Sequence, residues 1–432
     1  MTARLMGADL FCGGGGTSTG LLNAAGQLGL RMNLAAINHW DLAIETHKAN
    51  HHMVRHFWAE LETLDPRTVV PKGKLDILVA SPECTYFSNA SGGVPLNDQS
   101  RASANYVKRW LTDLNINKFL LENVPEFQTW GPLTSDTKRP IPNRKGEYFN
   151  RFCREVERLG YHIEHRVLIA ANYGDATTRK RFFMIGSKGS NRIKWPDQSH
   201  SKPEPTNMFA DQLKPWRTAQ EIINWENKGK SIYTRKKPLS DNTLRRIFKG
   251  IERYSGIELK PFLIEYHGGA NGDNRSKSLD APLPTQDCSN RFGLVQPFVV
   301  SMDQTSNQGH CSRSVDQPLK TIAGKGMLGI VNPILIEFNG TGGAAPVDLP
   351  VKTITGADRF GLAQPIVYTD EAGKKWIVDI YFRMLEVDEL ARAMSFPEGY
   401  LFMGTRDDRV KQIGNSVPVR TAQALCHSML AN

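Results

Sequence analysis

The chain has 432 residues, 40% of them hydrophobic and 23% charged, with a formal net charge of +10. Its length suggests two or three domains of ordinary globular composition. No stretch approaches the ~18 apolar residues of a membrane span and no secretory signal is visible, so a cytoplasmic protein is expected.

Residues 190–260 hold 15 Lys/Arg against 8 Asp/Glu, so +7 of the +10 falls in one sixth of the chain. Two readings of that charge stand side by side: solubility, or a polyanionic partner whose counterions are released on binding. The six cysteines, Cys12, Cys84, Cys153, Cys288, Cys311 and Cys426, contain no C-x-x-C pair. Zinc and dithiol redox chemistry are therefore disfavoured, and no metal site is expected. A free cysteine is most often a small buried hydrophobe, the default that any catalytic thiol must overcome.

In chain order, the apolar run at 8–11 predicts a strand that ends in four glycines, Gly13 to Gly16. Residues 42–50 read as a helix, and 75–80 as a buried strand followed by Ser81-Pro82-Glu83-Cys84-Thr85. The run from Ser88 to Ala104 contains Gly92-Gly93 and few large apolar residues, the texture of a closing lid. Residues 118–124 predict a strand ending in Glu122-Asn123-Val124, 149–159 a helix, and 181–186 a strand entered through Arg179-Lys180-Arg181. Strands alternating with helices indicate a mostly parallel, doubly wound sheet.

Beyond Gly186 the texture changes. A helix is expected over 242–254, carrying Arg245, Arg246, Lys249 and Arg253. It presents either a solvated basic face or a surface for phosphates. Residues 261–368 contain a repeat. Pro261, Pro297, Pro333 and Pro365 each open a β-type run, spaced 36, 36 and 32 residues apart. Two further registers keep step: 281–285, 317–321 and 349–353, and the pairs Gly293-Leu294, Gly329-Ile330 and Gly361-Leu362. Three unlike signatures in one period indicate repeated units of two short strands with a polar loop, suited to recognition. The chain then returns to helix and turn, with Gly414-Asn415-Ser416-Val417-Pro418 before a last helix.

Some of these residues suit chemistry. A glycine turn between strand and helix lets a backbone approach a ligand, and the helix N-terminus favours its anionic groups. Cys84 lies just past a strand's carboxyl end, where ligands bind in open α/β sheets. Glu122 is an acid closing an apolar strand, which calls for a partner or a proton to manage. Arg179 and Arg181 share one face by alternation and match an anion or carbonyl clamp.

Taken in order, these blocks resemble the cytosine-C5 DNA methyltransferase family. Asp9 to Gly16 resembles its cofactor loop, Pro82 to Ser88 its nucleophile motif, Glu122-Asn123-Val124 its Glu-Asn-Val, and Arg179-Lys180-Arg181 its Arg-x-Arg. Residues 414–418 resemble the C-terminal motif that folds back beside the first.

The resemblance implies a Rossmann-like, S-adenosylmethionine-dependent methyltransferase sheet with a smaller, mainly β target-recognition domain. The catalytic domain would span 1–189, the recognition domain 190–377, and a returning segment 378–432. It implies methyl transfer from S-adenosylmethionine to C5 of a flipped cytosine in a specific duplex DNA site. Cys84 would add to C6, Glu122 would protonate N3, and Arg179, with Arg181, would steady the base.

Cofactor contacts carried over in the same way are Phe11, Gly13, Gly14, Gly16, Asn38, His39, Glu60, Leu61, Asn415, Ser416 and Val417. Ser88, Arg101, Arg245, Arg246 and Lys249 would face DNA. A monomer is expected, in a bacterial or phage-infected cell, sharing its target with a restriction endonuclease in function rather than in a stable complex. The same chemistry on RNA and a catalytically silent DNA-binding protein are the alternatives. A dinucleotide oxidoreductase leaves Cys84, Glu122 and 414–418 unexplained.

Three positions depart from the family pattern. Glu83 stands where proline usually precedes the nucleophile, Asn38 where an acid usually holds the ribose, and Thr177 where glutamine is common.

Overall fold

The computed structural model describes residues 4–82, 103–132, 134, 141–189, 192–202, 213–227, 229–233, 235–240, 244, 247, 348–351, 360–369 and 375–431, together with short strands between 264 and 346. Cys84, Ser88, Arg101, Arg245, Arg246 and Lys249 lie outside the described residues, as do Glu83 and most of the helix expected at 242–254.

The chain divides into two compact units. The first comprises Met1–Asn224, Asp348–Asp358 and Glu386–Asn432. Its strands are β1 (Arg4–Leu10), β2 (Arg31–Asn38), β3 (Arg55–Trp58), β4 (Lys74–Ala80), β5 (Asn115–Asn123), β6 (Tyr161–Ile169) and β7 (Lys180–Lys188). They form a seven-stranded sheet in the order β3-β2-β1-β4-β5-β7-β6. Strands β1 to β5 pair in parallel, and β7 runs antiparallel to both β5 and β6. Between the strands lie α1 (Gly16–Gln27), α2 (Asp41–Asn50), α3 (Pro66–Val69), α4 (Ser103–Asp113) and α5 (Glu147–Arg158). This is the mostly parallel α/β sheet expected from the alternation of strands and helices, and the kind of sheet that the family resemblance implied.

Both faces of the sheet are covered, which is why its central strands read as unbroken apolar runs. Alternate residues divide between two cores. Leu78, Leu121, Phe182 and Met184 face one, with Trp110 of α4 and Phe149 and Phe152 of α5. Ile77, Val79, Leu120, Phe183 and Ile185 face the other, with Leu21 and Ala24 of α1. In the first core Phe127 stacks on Trp130 with ring centroids 5.6 Å apart and meets Phe149 and Phe182 edge-on.

The last three helices are α6 (Val387–Ala393), α7 (Arg406–Asn415) and α8 (Val419–Leu430). Helix α8 lies directly against α1: a Cβ added at Gly20 would sit 2.6 Å from the Cβ of Ala422. Asp175 anchors the start of α8. Its carboxylate accepts from the backbone N–H groups of Arg420 (3.2 Å) and Thr421 (3.0 Å) and from the Thr421 hydroxyl (2.7 Å). Those N–H groups belong to the first turn, which has no intrahelical acceptor for them.

The second unit comprises Trp225–Val347 and Arg359–Leu385, and its described part is largely β. After the short parallel pair β8 (His200–Ser201) and β9 (Lys214–Pro215) of the first unit come β10 (Lys230–Ser231), β11 (Ile264–Glu265), β12 (Phe292–Gly293), β13 (Met327–Ile330) and β14 (Ile334–Glu337). β15 (Ala344–Pro346), β16 (Phe360–Thr369) and β17 (Lys375–Met384) complete it.

The repeat is visible in strand register. Ile264 pairs with Gly293 and Glu265 with Phe292. Ile336 pairs with Gly361 and Glu337 with Phe360. In both units the third residue after the repeat's proline lies opposite the glycine, so the sequence period is a repeat of strand pairs.

Candidate active site

The sequence-marked residues of the first unit converge on one edge of the sheet. Leu10 ends β1, Asn38 ends β2, Ala80 ends β4 and Glu122 lies one residue from the end of β5. Because β7 runs the other way, Arg179 and Arg181 enter this edge at its start. The Ser81 N–H donates to the Leu10 carbonyl at 3.1 Å, which ties the exits of β4 and β1 together.

Glu122 is 8% exposed, and its Oε1 lies 3.1 Å from Nε of Arg181. Burial pushes its carboxyl above the ordinary value, against the opposing pull of Arg181, Arg179 and a hydrogen bond with Ser81. A buried acid that keeps a proton readily, held between two guanidinium groups, can both donate and accept at a ligand's edge. Arg179 is itself buried. Next to Glu122, the side-chain amide of Asn123 donates to the Pro82 carbonyl at 3.2 Å and accepts from the Val124 N–H at 2.8 Å. Asn123 thus fixes the chain two residues before Cys84.

The turn from β1 into α1 is strained. Phe11 has φ 60°, Gly13 51° and Gly15 92°. Glycine adopts such angles without steric cost, but phenylalanine does not. A left-handed non-glycine residue beside a glycine turn is the kind of outlier found at ligand clamps. Among the described residues, nothing approaches an added Cβ at Gly13 except the Phe11 carbonyl at 3.9 Å, which leaves space there for a ligand. The N-terminus of α1 follows directly from the same turn.

The C-terminal motif closes the back of this turn. Ser416 and Val417 are buried beneath it. A Cβ on Gly14 would meet the Ser416 hydroxyl at 3.4 Å, and one on Gly16 would press into the Val417 carbonyl. Ser416 donates its hydroxyl to the Gln412 carbonyl at 2.8 Å, and Asn415 is exposed at the end of α7.

Around the neighbouring strand ends, the Asn38 side-chain oxygen accepts from the Trp40 N–H at 2.8 Å. The His39 carbonyl accepts from the Trp58 indole at 2.8 Å. Glu60 is exposed past the end of β3, whereas the Leu61 side chain is in the core.

Two buried acids and a histidine group escaped the sequence reading. Asp9 is fully buried; its Oδ2 accepts from the Ser18 hydroxyl at 2.6 Å, and its Oδ1 has no partner among the described residues. Burial raises its pKa to about 7. Asp175 is raised by burial to about 6. An acid inside an apolar strand was a usable signal for Asp9; Asp175, in a connecting segment, carried none. His47 and His51, spaced for one face of α2, pack behind the glycine turn with His56.

Burial disfavours the thiolate at each described cysteine. Burial, helped by Asp9, lifts Cys12 well above its ordinary value, and burial lifts Cys153 to about 11 and Cys426 higher still. Among the described residues no group of three or more His, Cys, Asp or Glu is placed to hold a metal, and no helix is long and apolar enough to cross a membrane.

Comparison with known proteins agrees with this arrangement. The family model for C-5 cytosine-specific DNA methylase matches residues 5–431. The type II methylase M.HgiDII of Herpetosiphon aurantiacus is 26% identical over 299 residues, 66% of this chain and 78% of that protein. The type II methyltransferase M.AgeI of Thalassovita gelatinovora is 28% identical over 199 residues, 44% of this chain and 42% of its own length. Among solved structures, the Entamoeba histolytica methyltransferase EhMeth aligns over 100% of this chain and 99% of its own with a TM-score of 0.52 at 12% identity, a likeness of fold. A DNMT2 variant of Spodoptera frugiperda aligns over 99% of each chain with a TM-score of 0.51 at 13% identity.

Proposed function

The chain belongs to the C-5 cytosine-specific DNA methylase family, and from that premise we propose that it transfers a methyl group from S-adenosylmethionine to C5 of a flipped cytosine in a specific duplex DNA site. The observation that carries this reading is the meeting of Glu122, Arg179 and Arg181 at the sheet edge where the chain leads through Ser81-Pro82 to Cys84.

Cytosine C5 is a poor nucleophile. Addition of the Cys84 thiolate to C6 makes it enamine-like. Glu122, whose raised pKa favours holding a proton, donates to N3 as the adduct forms, and Arg179 steadies the O2 edge. Once C5 carries the methyl group, loss of the C5 proton to water, expulsion of Cys84 as thiolate and return of the N3 proton to Glu122 restore the ring. Because C6 is out of reach inside a duplex, the base must leave the stack, and Ser88 and Arg101 would face the DNA. The Glu83 carboxylate beside the thiol works against the thiolate unless it is turned away or paired.

S-adenosylmethionine supplies an electrophilic methyl group on a sulfonium. The residues present fit such a group: an open left-handed turn at Phe11 to Gly15, a helix N-terminus for its carboxylate, and Asn38, His39 and Glu60 at the neighbouring strand ends. Ser416 and Val417 support the turn from behind, with Leu61 in the adjoining core and Asn415 at the helix end. The β-rich second unit, with the basic segment carrying Arg245, Arg246 and Lys249, is the surface for target DNA. The enzyme acts as a monomer in the cytoplasm and shares its site with a restriction endonuclease.

Plasmid DNA incubated with the protein and S-adenosylmethionine, then read by base-resolution sequencing, should show 5-methylcytosine in one sequence context. The Cys84→Ala variant should leave the DNA unmodified and should not be trapped by duplexes containing 5-fluorocytosine. Unmodified DNA from the wild type defeats the proposal, and modification by Cys84→Ala defeats the role of Cys84.

A further inference from the structure

Behind the glycine turn, two hydroxyls and one imidazole form a closed set. The Tyr400 phenol donates to the Gly14 carbonyl at 2.8 Å. The Thr19 hydroxyl donates to the Gly15 carbonyl at 2.7 Å. Carbonyls only accept, and each hydroxyl has one proton, so a hydroxyl that donates to the turn cannot also donate to a third group. Nε2 of His51 lies 3.0 Å from the Thr19 hydroxyl and 3.3 Å from the Tyr400 hydroxyl. With both hydroxyl protons on the carbonyls, the ring nitrogen is the donor to the two hydroxyls, the tautomer with the His51 proton on Nε2.

Burial, with His56 and His52 nearby, holds His51 down to about 4, so the ring is a neutral donor. Burial keeps the Tyr400 phenol protonated. His47 fills the remaining space, its Nδ1 hydrogen-bonded to Nε2 of His56 at 2.9 Å. Gly15 could not be any larger: its added Cβ would run into the Tyr400 oxygen and lie 3.2 Å from Cδ2 of His47.

The two carbonyls held this way belong to successive peptide planes. The Gly15 N–H, in the first plane, donates to the Cys12 carbonyl at 2.9 Å, so that plane is fixed at both ends. In the second, the Gly15 carbonyl accepts from both the hydroxyl and the N–H of Thr19, the latter at 2.8 Å, and the plane so held carries the Gly16 N–H.

We propose that His51, acting through Thr19 and Tyr400, is a positioning residue for cofactor binding: it sets the two peptide planes that present the N-terminus of α1 to the cofactor. The inference rests on the S-adenosylmethionine reading above.

The test is titration calorimetry of the full-length protein with S-adenosylhomocysteine. His51→Leu, similar in bulk but without a donor, should bind about tenfold more weakly, the effect of losing one well-placed hydrogen bond. His51→Gln, whose amide N–H can replace the ring donor, should bind within about twofold of wild type. Tyr400→Phe should weaken binding several-fold and speaks for the relay if His51→Leu fails to fold. Wild-type affinity in His51→Leu or Tyr400→Phe overturns the proposal, and so does a His51→Gln variant as weak as His51→Leu. Absence of heat with the wild type instead refutes the cofactor reading itself.

Discussion

Replacing glycine by alanine at two positions of α1 should move stability in opposite directions. At Gly20 the new Cβ would lie 2.6 Å from the Ala422 Cβ and 2.7 Å from the Gln423 backbone nitrogen. Ordinary carbon contacts begin near 3.5 Å, and a neighbouring backbone cannot rotate away as a side chain can. The two helices must part, at a cost of about 3 kcal/mol for overpacking, offset by about 1 kcal/mol from alanine's better helix propensity. Gly20→Ala should therefore destabilise by about 2 kcal/mol.

Gly26, two turns further along the same helix, has nothing within 4 Å of the added atom. Only the propensity gain remains there, so Gly26→Ala should stabilise by up to about 1 kcal/mol. In thermal unfolding each kcal/mol moves the midpoint by roughly 2–4 °C for a unit of this size. The two variants should differ by about 6–12 °C, with Gly20→Ala below wild type and Gly26→Ala above it. A Gly20→Ala variant with wild-type stability would refute the close packing of the C-terminal helix on α1, and with it the support of the glycine turn by Ser416 and Val417.

Glu122→Gln keeps the shape of the side chain but removes its proton exchange. Methyl incorporation into duplex DNA should fall about 10²–10⁴-fold, and a rate within a few-fold of wild type would exclude the acid role. Asp9→Asn tests a buried acid whose folded pKa of about 7 exceeds its ordinary 3.8. A raised carboxyl stabilises the fold below pH ~4 and loses that contribution as pH rises through 7. The stability of Asp9→Asn relative to wild type should therefore climb between pH 4 and pH 8, by up to about 4 kcal/mol. A stability difference that is flat with pH in urea titrations would show that Asp9 is not held this way. Asp175→Ala removes the acceptor for two N–H groups and a hydroxyl at the start of α8. It should destabilise by about 2–4 kcal/mol in the same titrations, each bond being to a charged group.

The strands expected at 8–11, 75–80, 118–124 and 181–186 fall on β1, β4, β5 and β7 because each is buried on both faces and reads as an apolar run. Strands β3 and β6, at the two edges of the sheet, escaped notice for the opposite reason. β3 is only Arg-His-Phe-Trp, and β6 carries His162, Glu164, His165 and Arg166 toward solvent. The antiparallel course of β7 was not legible either, since periodicity does not encode direction. Glu122 was readable as an acid out of place. The relay behind the glycine turn was not, because Thr19, His51 and Tyr400 are ordinary residues in sequence and acquire meaning only when α1, the end of α2 and the segment after α6 are brought together.

Asn38 shows how a sequence departure and a local hydrogen bond combine. At this position the family usually has an acid, whose oxygens would accept from the ribose hydroxyls. Here the Asn38 side-chain oxygen already accepts from the Trp40 N–H, just ahead of α2. The amide orientation is thereby set, and a ligand meets the Nδ2 donor pair and one remaining lone pair of the oxygen. Under the proposed reading, a ribose hydroxyl at Asn38 accepts from Nδ2 and passes its own proton to another group; the exposed Glu60 past the end of β3 is one acceptor at the same sheet edge. Asn38→Asp should then do two things. The carboxylate can still accept from Trp40 while its second oxygen accepts from the ribose, and a negative charge so close to a helix start is favourable. Binding of S-adenosylhomocysteine should tighten about threefold to tenfold, since a charge-assisted hydrogen bond replaces a neutral one. Weaker binding by Asn38→Asp would mean that this edge is built for a donor, and that the ribose is held in a manner peculiar to this chain.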